Sequence, residues 1–189
     1  MPVDLISAAG LAVALFTATN LDDAFLLVAW FLTGQSARVV VVGQYVGIGL
    51  LVVASVVAAL AVESVAPGVV RYLGLLPIAI GIRRLVALAR RKVEEAATAR
   101  PGRGVLAVAA TTIANGSDNL GVYPSVFAGL SPAELAVVVV VFAVMTGLWC
   151  AAAYGLVNHP QAGAPLRRYG PYIVPFVLIA IGLAVLLGE

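Results

Sequence analysis

The chain consists of long apolar runs separated by short polar segments, and this pattern predicts helices that cross a membrane. The runs lie near residues 5–32, 39–62, 69–89, 105–130, 133–157 and 172–187. The hydrocarbon core of a bilayer is about 30 Å thick, and an α-helix needs about 20 apolar residues to cross it. We therefore predict an all-α integral membrane protein with about six transmembrane helices.

The composition excludes a soluble domain. Of the 189 residues, 62% are apolar and 11% are charged, whereas soluble domains carry about 25% charged residues. Cys150 is the only cysteine, so no disulfide forms within the chain, and we interpret it as a small buried apolar residue. The first apolar run follows a segment, residues 1–4, that is acidic through Asp4. We therefore expect that run to be the first spanning helix and not a signal peptide.

Basic residues are distributed unevenly over the predicted loops. When Arg83 and Arg84, near the end of the third run, are assigned to the loop that follows, ten of the 11 Lys and Arg residues fall in the first, third and fifth loops, and only Arg71 falls on the other side. Since cytoplasmic loops carry the positive excess, these loops should be cytoplasmic and both termini outside. The longest polar segment, residues 90–104, predicts a flexible basic linker between two halves, residues 1–89 and 105–189. We expect a multi-pass protein of the plasma (inner) membrane that binds no nucleic acid.

Two segments of similar sequence indicate an inverted repeat. Residues 17–23 and 112–118 both read Thr-x-x-Asn-x-x-Asp. A register shifted by one residue aligns Asp22-Asp23 with Asp118-Asn119 instead, and the sequence leaves both registers open. Each predicted repeat has three spans, an odd number, so the second copy enters the membrane from the opposite face. Such 3+3 inverted repeats, with the substrate near the membrane midplane, are typical of secondary transporters.

Three acidic residues lie near the centres of the apolar runs: Asp22, Asp23 and Asp118. Each central Asp costs about 2.5–3.5 kcal/mol on insertion scales, so these residues should face protein or water and mark an ion or substrate path. No Lys or Arg is expected at this depth to pair with them, so protons or a bound cation must neutralise the carboxylates. The alternative is that these residues form hydrogen bonds that only fix the packing of the helices. One Asn or Ser could do this without placing three carboxylates in the membrane.

Side-chain oxygens accompany the acids and complete a predicted metal site. Oxygen ligands of this kind suit hard to borderline divalent cations. The amide oxygens in these runs belong to Asn20, Asn115 and Asn119. The candidate gate or supporting residues are Gln44, Thr19, Ser117 and Tyr123. The sequence also leaves open an alternative role for Gln44, that of an interfacial anchor beside Tyr45.

Local propensities predict departures from regular helix around this site. The segment Asn115-Gly116-Ser117 is a poor helix interior. We therefore predict that the fourth helix is irregular there and that the first bends near Asn20, which would expose backbone carbonyls to a cation. The glycines at positions 43, 47 and 49 predict close helix packing.

Four segments resemble the motifs of one family. They are residues 18–22 (Ala-Thr-Asn-Leu-Asp), 43–47 (Gly-Gln-Tyr-Val-Gly), 72–78 with 81–82 (Tyr-Leu-Gly-Leu-Leu-Pro-Ile and Gly-Ile) and 115–123 (Asn-Gly-Ser-Asp-Asn-Leu-Gly-Val-Tyr), of which the last is the most specific. In this order they resemble the cadmium-resistance transporter family, a branch of the lysine-exporter superfamily. The resemblance implies export of a divalent metal, cadmium- or zinc-like, from the cytoplasm. The chain lacks the Cys that some members have near Asn115, and it has Asp23 beside Asp22, so the identity of the metal is left open.

Together these features predict a secondary transporter that exports a divalent metal cation in exchange for protons. No nucleotide-binding motif is present, so a gradient must drive transport, and we expect neither enzymatic activity nor a cofactor. The metal would be the substrate, the other partners would be membrane lipid and protons, and a homodimer is left open. Two alternatives are an exporter of a cationic amino acid, to which the superfamily name points, and an intramembrane aspartyl protease. The protease would need Tyr-Asp and Gly-x-Gly-Asp motifs, which Leu21-Asp22 and Gly116-Ser117-Asp118 do not match.

Overall fold

The computed structural model describes residues 4–65, 72–73, 75–89, 103–158, 176, 179–181, 183 and 185–187. This part of the chain is helical and contains no strand, so the predicted all-α class is confirmed. The residues described between 176 and 187 are helical as well. The helices with defined bounds are α1 (Leu5–Leu32), α2 (Ala37–Val65), α3 (Leu75–Ala89), α4 (Val105–Asn115), α5 (Ser117–Phe127) and α6 (Pro132–Asn158).

Most of the predicted runs coincide with helices. α1 matches its run at both ends, and α2 and α6 exceed theirs by one to three residues at each end. Within the described residues, three helices are long and apolar enough to cross a membrane alone: Leu5–Leu32, Ala37–Ser64 and Pro132–Val157. α4 and α5 have 11 residues each, or about 17 Å at 1.5 Å per residue, so neither crosses the bilayer core by itself. The count of six spans stays a prediction, and residues 90–102 of the predicted linker lie outside the described residues.

The fourth predicted run is broken at Gly116, which separates α4 from α5. Gly116 has φ −76° and ψ 17°, whereas ψ in an α-helix is about −42°. Its N–H still donates to Thr112 O at 2.8 Å, and its carbonyl accepts from Leu120 N at 3.2 Å. The predicted irregularity is therefore confirmed. α1, in contrast, is continuous through Asn20, so the bend expected there does not interrupt the helix.

The helices of the two predicted halves pack crosswise. α1 packs mainly against α6, α2 packs against α4 and α5, and α3 packs against α5. The first helix of each half therefore lies beside the second helix of the other half. Two halves related by a two-fold axis would show this exchange, and the repeat itself stays a prediction.

An aromatic cluster fills the space between α1, α5 and α6. Phe142 on α6 meets Phe16 edge-on at a centroid distance of 5.3 Å and Tyr123 at 5.0 Å, and all three residues are buried. Phe127 stacks on Tyr123 at 5.6 Å. Offset and edge-on arrangements of this kind are the favourable ones for aromatic rings. The cluster fixes the Tyr123 ring and with it the position of its hydroxyl.

Candidate cation site

α1 carries two buried polar side chains on one face. Asn20 and Asp23 are three residues apart, so they lie on the same side of the helix, and the two residues are 0% and 2% exposed. Asp22 is half-buried and is turned about 100° away around the helix axis. Of the two adjacent acids, Asp23 is therefore the one that the helix bundle encloses.

Asp23 lies where α1, α2 and α4 meet. Its Oδ1 accepts a hydrogen bond from Asn115 Nδ2 at 2.6 Å, and its Oδ2 accepts one from Gln44 Nε2 at 3.0 Å. Gln44 Oε1 in turn lies 2.6 Å from Thr112 Oγ1, which donates to it. Both donors to Asp23 are neutral amides, so they orient the carboxylate without cancelling its charge. We call these four residues the Asp23 network.

Two glycines of α2 bring that helix close to α4. A Cβ added at Gly43 would lie 2.5 Å from Val108 Cβ, and one added at Gly47 would lie 2.6 Å from Thr112 Cβ. Small residues allow this close approach of helix backbones in membranes. The predicted close packing is confirmed at these two positions, whereas a Cβ at Gly49 would meet nothing within 4 Å. The close contact holds the intervening glutamine against α4.

A second network joins α1 to α5 through Asn20. Asn119 Nδ2 donates to Asn20 Oδ1 at 3.2 Å, and Asn20 Nδ2 donates to Tyr123 OH at 2.7 Å. The Tyr123 hydroxyl lies 3.0 Å from Thr19 Oγ1, which donates to Leu15 O at 2.9 Å. Each side chain in this series can donate a hydrogen bond to the next one, from Asn119 on α5 to the backbone of α1. We call the four side chains the Asn20 network.

One oxygen of the Asn20 network is left over. Asn119 is 1% exposed, and its Oδ1 has no hydrogen-bond partner among the described residues. Most buried polar side-chain atoms have a partner, and an exception calls for an explanation. An amide oxygen in this position is available to a cation, and it belongs to a residue that the sequence predicted as a ligand.

The two networks lie on opposite sides of the helix break. Asn115, the last residue of α4, is bonded to Asp23, and Asn119 in the first turn of α5 is bonded to Asn20. Successive turns of α1 therefore bond to α4 and to α5, the two helices that Gly116 separates. A change at Asp23 would act on α4 without acting directly on α5.

Asp118 is paired with a basic residue, which corrects the expectation that no Lys or Arg lies within reach. Arg83 Nη2 is 3.3 Å from Asp118 Oδ1. The sequence interpretation placed Arg83 in a cytoplasmic loop, but α3 continues through it to Ala89 and packs against α5. Asp118 also lies in the first turn of α5, where the helix dipole favours an acidic side chain.

The predicted site residues therefore separate into groups. The structure brings Asp23, Asn115 and Gln44 together, and Asn20, Asn119, Thr19 and Tyr123 together. Gln44 is buried and bonded to Asp23, and its role as a gate or supporting residue stays a prediction. The described residues contain no group of three or more His, Cys, Asp or Glu that could hold a metal ion, so a cluster of three carboxylates is not assembled. The roles of all six predicted ligands stay predictions, and the Ser117 side chain lies outside the described part.

Sequence reasoning missed two residues that contact this region. Trp149 on α6 donates its indole N–H to the Asn20 backbone oxygen at 2.8 Å, and Arg83 pairs with Asp118. The sequence pattern did not identify Trp149, because a Trp in an apolar run is expected to face lipid or the protein core. The Arg83 side chain had a signal, since a charged residue between apolar neighbours is costly in a membrane helix, but it was counted as part of a loop.

Comparisons with known proteins identify the family. No curated protein matches the chain, and no solved structure does. The sequence profile of the cadmium resistance transporter family matches residues 16–189, a range that includes both networks and all six helices except the start of α1. The resemblance of the four motifs is confirmed, and a transporter family accords with the long apolar helices. The chain therefore belongs to the cadmium resistance transporter family.

Proposed function

We propose that the chain is a secondary transporter of the plasma (inner) membrane that exports a divalent metal cation, cadmium- or zinc-like, in exchange for protons. The observation that carries the proposal is Asp23, a buried carboxylate whose two hydrogen-bond donors are neutral amides. Such a carboxylate in the interior of a membrane protein requires a proton or a cation to neutralise it. Topology with both termini outside and the loops rich in Arg in the cytoplasm is part of the same proposal.

The amides that now donate to Asp23 also supply the oxygens that a metal ion needs. Each carboxamide carries a donor nitrogen and an acceptor oxygen on the same carbon, so a half-turn exchanges one for the other. For Gln44 this turn is inexpensive because Thr112 can follow it. Thr112 Oγ1 lies 2.6 Å from Gln44 Oε1 and 3.1 Å from Val108 O, and its single proton can go to either. When it goes to Val108, the hydroxyl oxygen can accept from Gln44 Nε2.

The break at Gly116 would allow metal binding at Asp23 to move α4 relative to α5. A cation on Asp23 competes with the amide hydrogens of Asn115 for the same oxygens. Exchange of that bond for contacts to a shared metal ion would shift the end of α4 relative to α1, while α5 stays bonded to Asn20. Alternating access needs one part of the bundle to move against another around a central site, and Gly116 is where the two pieces can separate. Protons compete with metal for the same carboxylates, which would couple the two fluxes.

The test is metal binding by the purified protein, measured by titration calorimetry with Cd²⁺, Zn²⁺ and Mg²⁺ and with lysine. Wild-type protein should bind Cd²⁺ or Zn²⁺ with an affinity that falls as the pH is lowered from about 8 to about 5. Asp23→Asn should weaken binding by at least about 100-fold, since loss of even a supporting residue of a metal site costs 10–100-fold.

Asp4→Asn is the matched control. Asp4 caps α1 by accepting from Ser7 N–H at 2.6 Å, a hydrogen bond that lowers the pKa of Asp4, and Asn caps a helix about as well as Asp. This variant removes one exposed acid outside the networks and should bind metal as the wild type does. Binding of lysine instead of metal, or equal losses in the two variants, would refute metal export through Asp23. Flux in proteoliposomes then gives the direction of transport and the counter-ion.

A further inference from the structure

The ion pair between Arg83 and Asp118 is unevenly exposed. The Arg83 side chain is 66% exposed, whereas that of Asp118 is 16% exposed. The carboxylate therefore faces into the bundle and the guanidinium covers it from the open side. This ion pair lies beside the helix break, in the first turn of α5.

The ion pair between Arg83 and Asp118 is weak enough for a metal ion to displace it. The N–O distance of 3.3 Å is longer than the 2.7–2.9 Å that is usual for charge-assisted hydrogen bonds. Exposed ion pairs of this kind contribute little to stability. A divalent cation carries twice the charge of the guanidinium and can approach a carboxylate oxygen more closely, so it would displace Arg83.

The position of Arg83 argues against an incidental surface charge. α3 is apolar over most of its length, and its neighbours Ile82 and Val86 are exposed as they would be toward lipid. A charged residue in such a helix is costly and by default marks an ion path. Asp118 follows the break directly, between Asn115 and Asn119, which both contact α1. Arg83 reaches the first turn of α5 from α3, which packs against it.

We propose that Arg83 is a tethered counter-cation, which neutralises Asp118 in the metal-free transporter and leaves it when the metal ion enters. The inference rests on the proposed function and adds a positioning residue to it. A guanidinium in this role lets the empty site change conformation without a proton or metal on Asp118. It also lowers the affinity of Asp118 for a metal ion, since an ion that binds there must first displace an attached competitor.

The experiment is a double-mutant cycle on full-length protein in detergent, with Cd²⁺ affinity measured by titration calorimetry. Arg83→Gln should bind Cd²⁺ roughly fivefold more tightly than the wild type, the upper range for one exposed ion pair. In the Asp118→Asn background the same change should have no effect. Arg83→Met keeps most of the long stem and should repeat the gain if the Gln variant folds poorly. Arg83→Lys keeps the charge and should bind within about twofold of the wild type.

Arg38→Gln is the control, because it removes a positive charge from the exposed start of α2. It should leave Cd²⁺ affinity unchanged. A purely structural pair would lower the melting temperature of the Arg83 variants without tightening metal binding, and that result overturns the inference. An equal gain in the Asp118→Asn background overturns it as well. Wild-type protein that binds no metal refutes the proposed function together with this inference, whereas wild-type binding with unchanged Arg83 variants refutes the inference alone.

Discussion

Two substitutions at Asp23 should separate its structural role from its role as a ligand. Asp23→Leu removes both acceptors and leaves without them Gln44 Nε2, which is buried, and Asn115 Nδ2, which is half-buried. A buried donor without a partner costs about 1–3 kcal/mol and a half-buried one less, so the total is about 1–5 kcal/mol. Asp23→Asn keeps the shape and one acceptor oxygen, and places an NH₂ group where the second oxygen was.

The new NH₂ group can be accommodated on the Gln44 side. If the Gln44 amide turns over, its oxygen accepts from the new side chain, and its nitrogen donates to Thr112 Oγ1. Thr112 then donates to Val108 O, which is already 3.1 Å away. Two charge-assisted bonds become two neutral ones, at a cost of about 1–3 kcal/mol, and the relief of a buried charge offsets part of this. We expect Asp23→Asn to fold with a stability within about 2 kcal/mol of the wild type.

The assay combines two measurements on the same preparations. Melting temperature and size-exclusion profile in detergent report folding, and calorimetry with Cd²⁺ reports binding. Asp23→Leu should be clearly destabilised, whereas Asp23→Asn should be near the wild type in folding and have lost metal binding. Equal destabilisation of the two variants would show that the Thr112–Gln44 rearrangement does not occur. Wild-type metal affinity in Asp23→Asn would remove Asp23 from the site.

Three further changes test other parts of the structure. Gly47→Ala places a Cβ against Thr112 and should force α2 from α4, with a loss of about 1–3 kcal/mol in a thermal unfolding assay; an unchanged melting temperature would contradict the close packing. Tyr123→Phe removes two hydrogen bonds but keeps the ring, and should cost about 1–3 kcal/mol, and metal affinity should stay within a few-fold of the wild type unless the Asn20 network itself holds the ion. For topology, a Cys introduced at Ala96 should resist an impermeant reagent added outside and one introduced at Glu189 should react, while the reverse pattern would invert the proposed orientation.

The sequence predicted the helices well because apolar runs and their Gly and Pro punctuation depend on local chemistry. α1 was predicted at both ends, and the break at Gly116 followed from the poor helix propensity of Asn115-Gly116-Ser117. At Asn20, where the same local rule predicted a bend, α1 is continuous. There, Trp149 and Tyr123 satisfy the polar groups of the residue, so α1 can stay regular. Those partners come from distant parts of the chain, and local helix propensity does not predict such contacts.

The candidate site was predicted in its residue types but not in its grouping. The i, i+3 spacing correctly placed Asn20 and Asp23 on one face. Which amide would bond to which acid depends on how α2 and α4 approach each other, and this is set by Gly43 and Gly47 against α4. The pairing of Asp118 with Arg83 depends on the reach of a long side chain from α3. The pattern of apolar and polar residues indicates which side chains are buried. Which of them bond to each other across helices can be seen only in the packed structure.

The indole hydrogen bond of Trp149 gives the transporter an optical property of its own. The sequence has two tryptophans: Trp30 is buried in α1, and Trp149 donates to the backbone oxygen of Asn20, next to the proposed ion site. Its ring also meets Phe16 edge-on at a centroid distance of 5.6 Å. Any displacement of this turn of α1 changes the hydrogen bond and the polarity around the indole. A Trp30→Phe variant therefore carries a single tryptophan, whose emission would report occupancy and conformational exchange in real time without an attached dye.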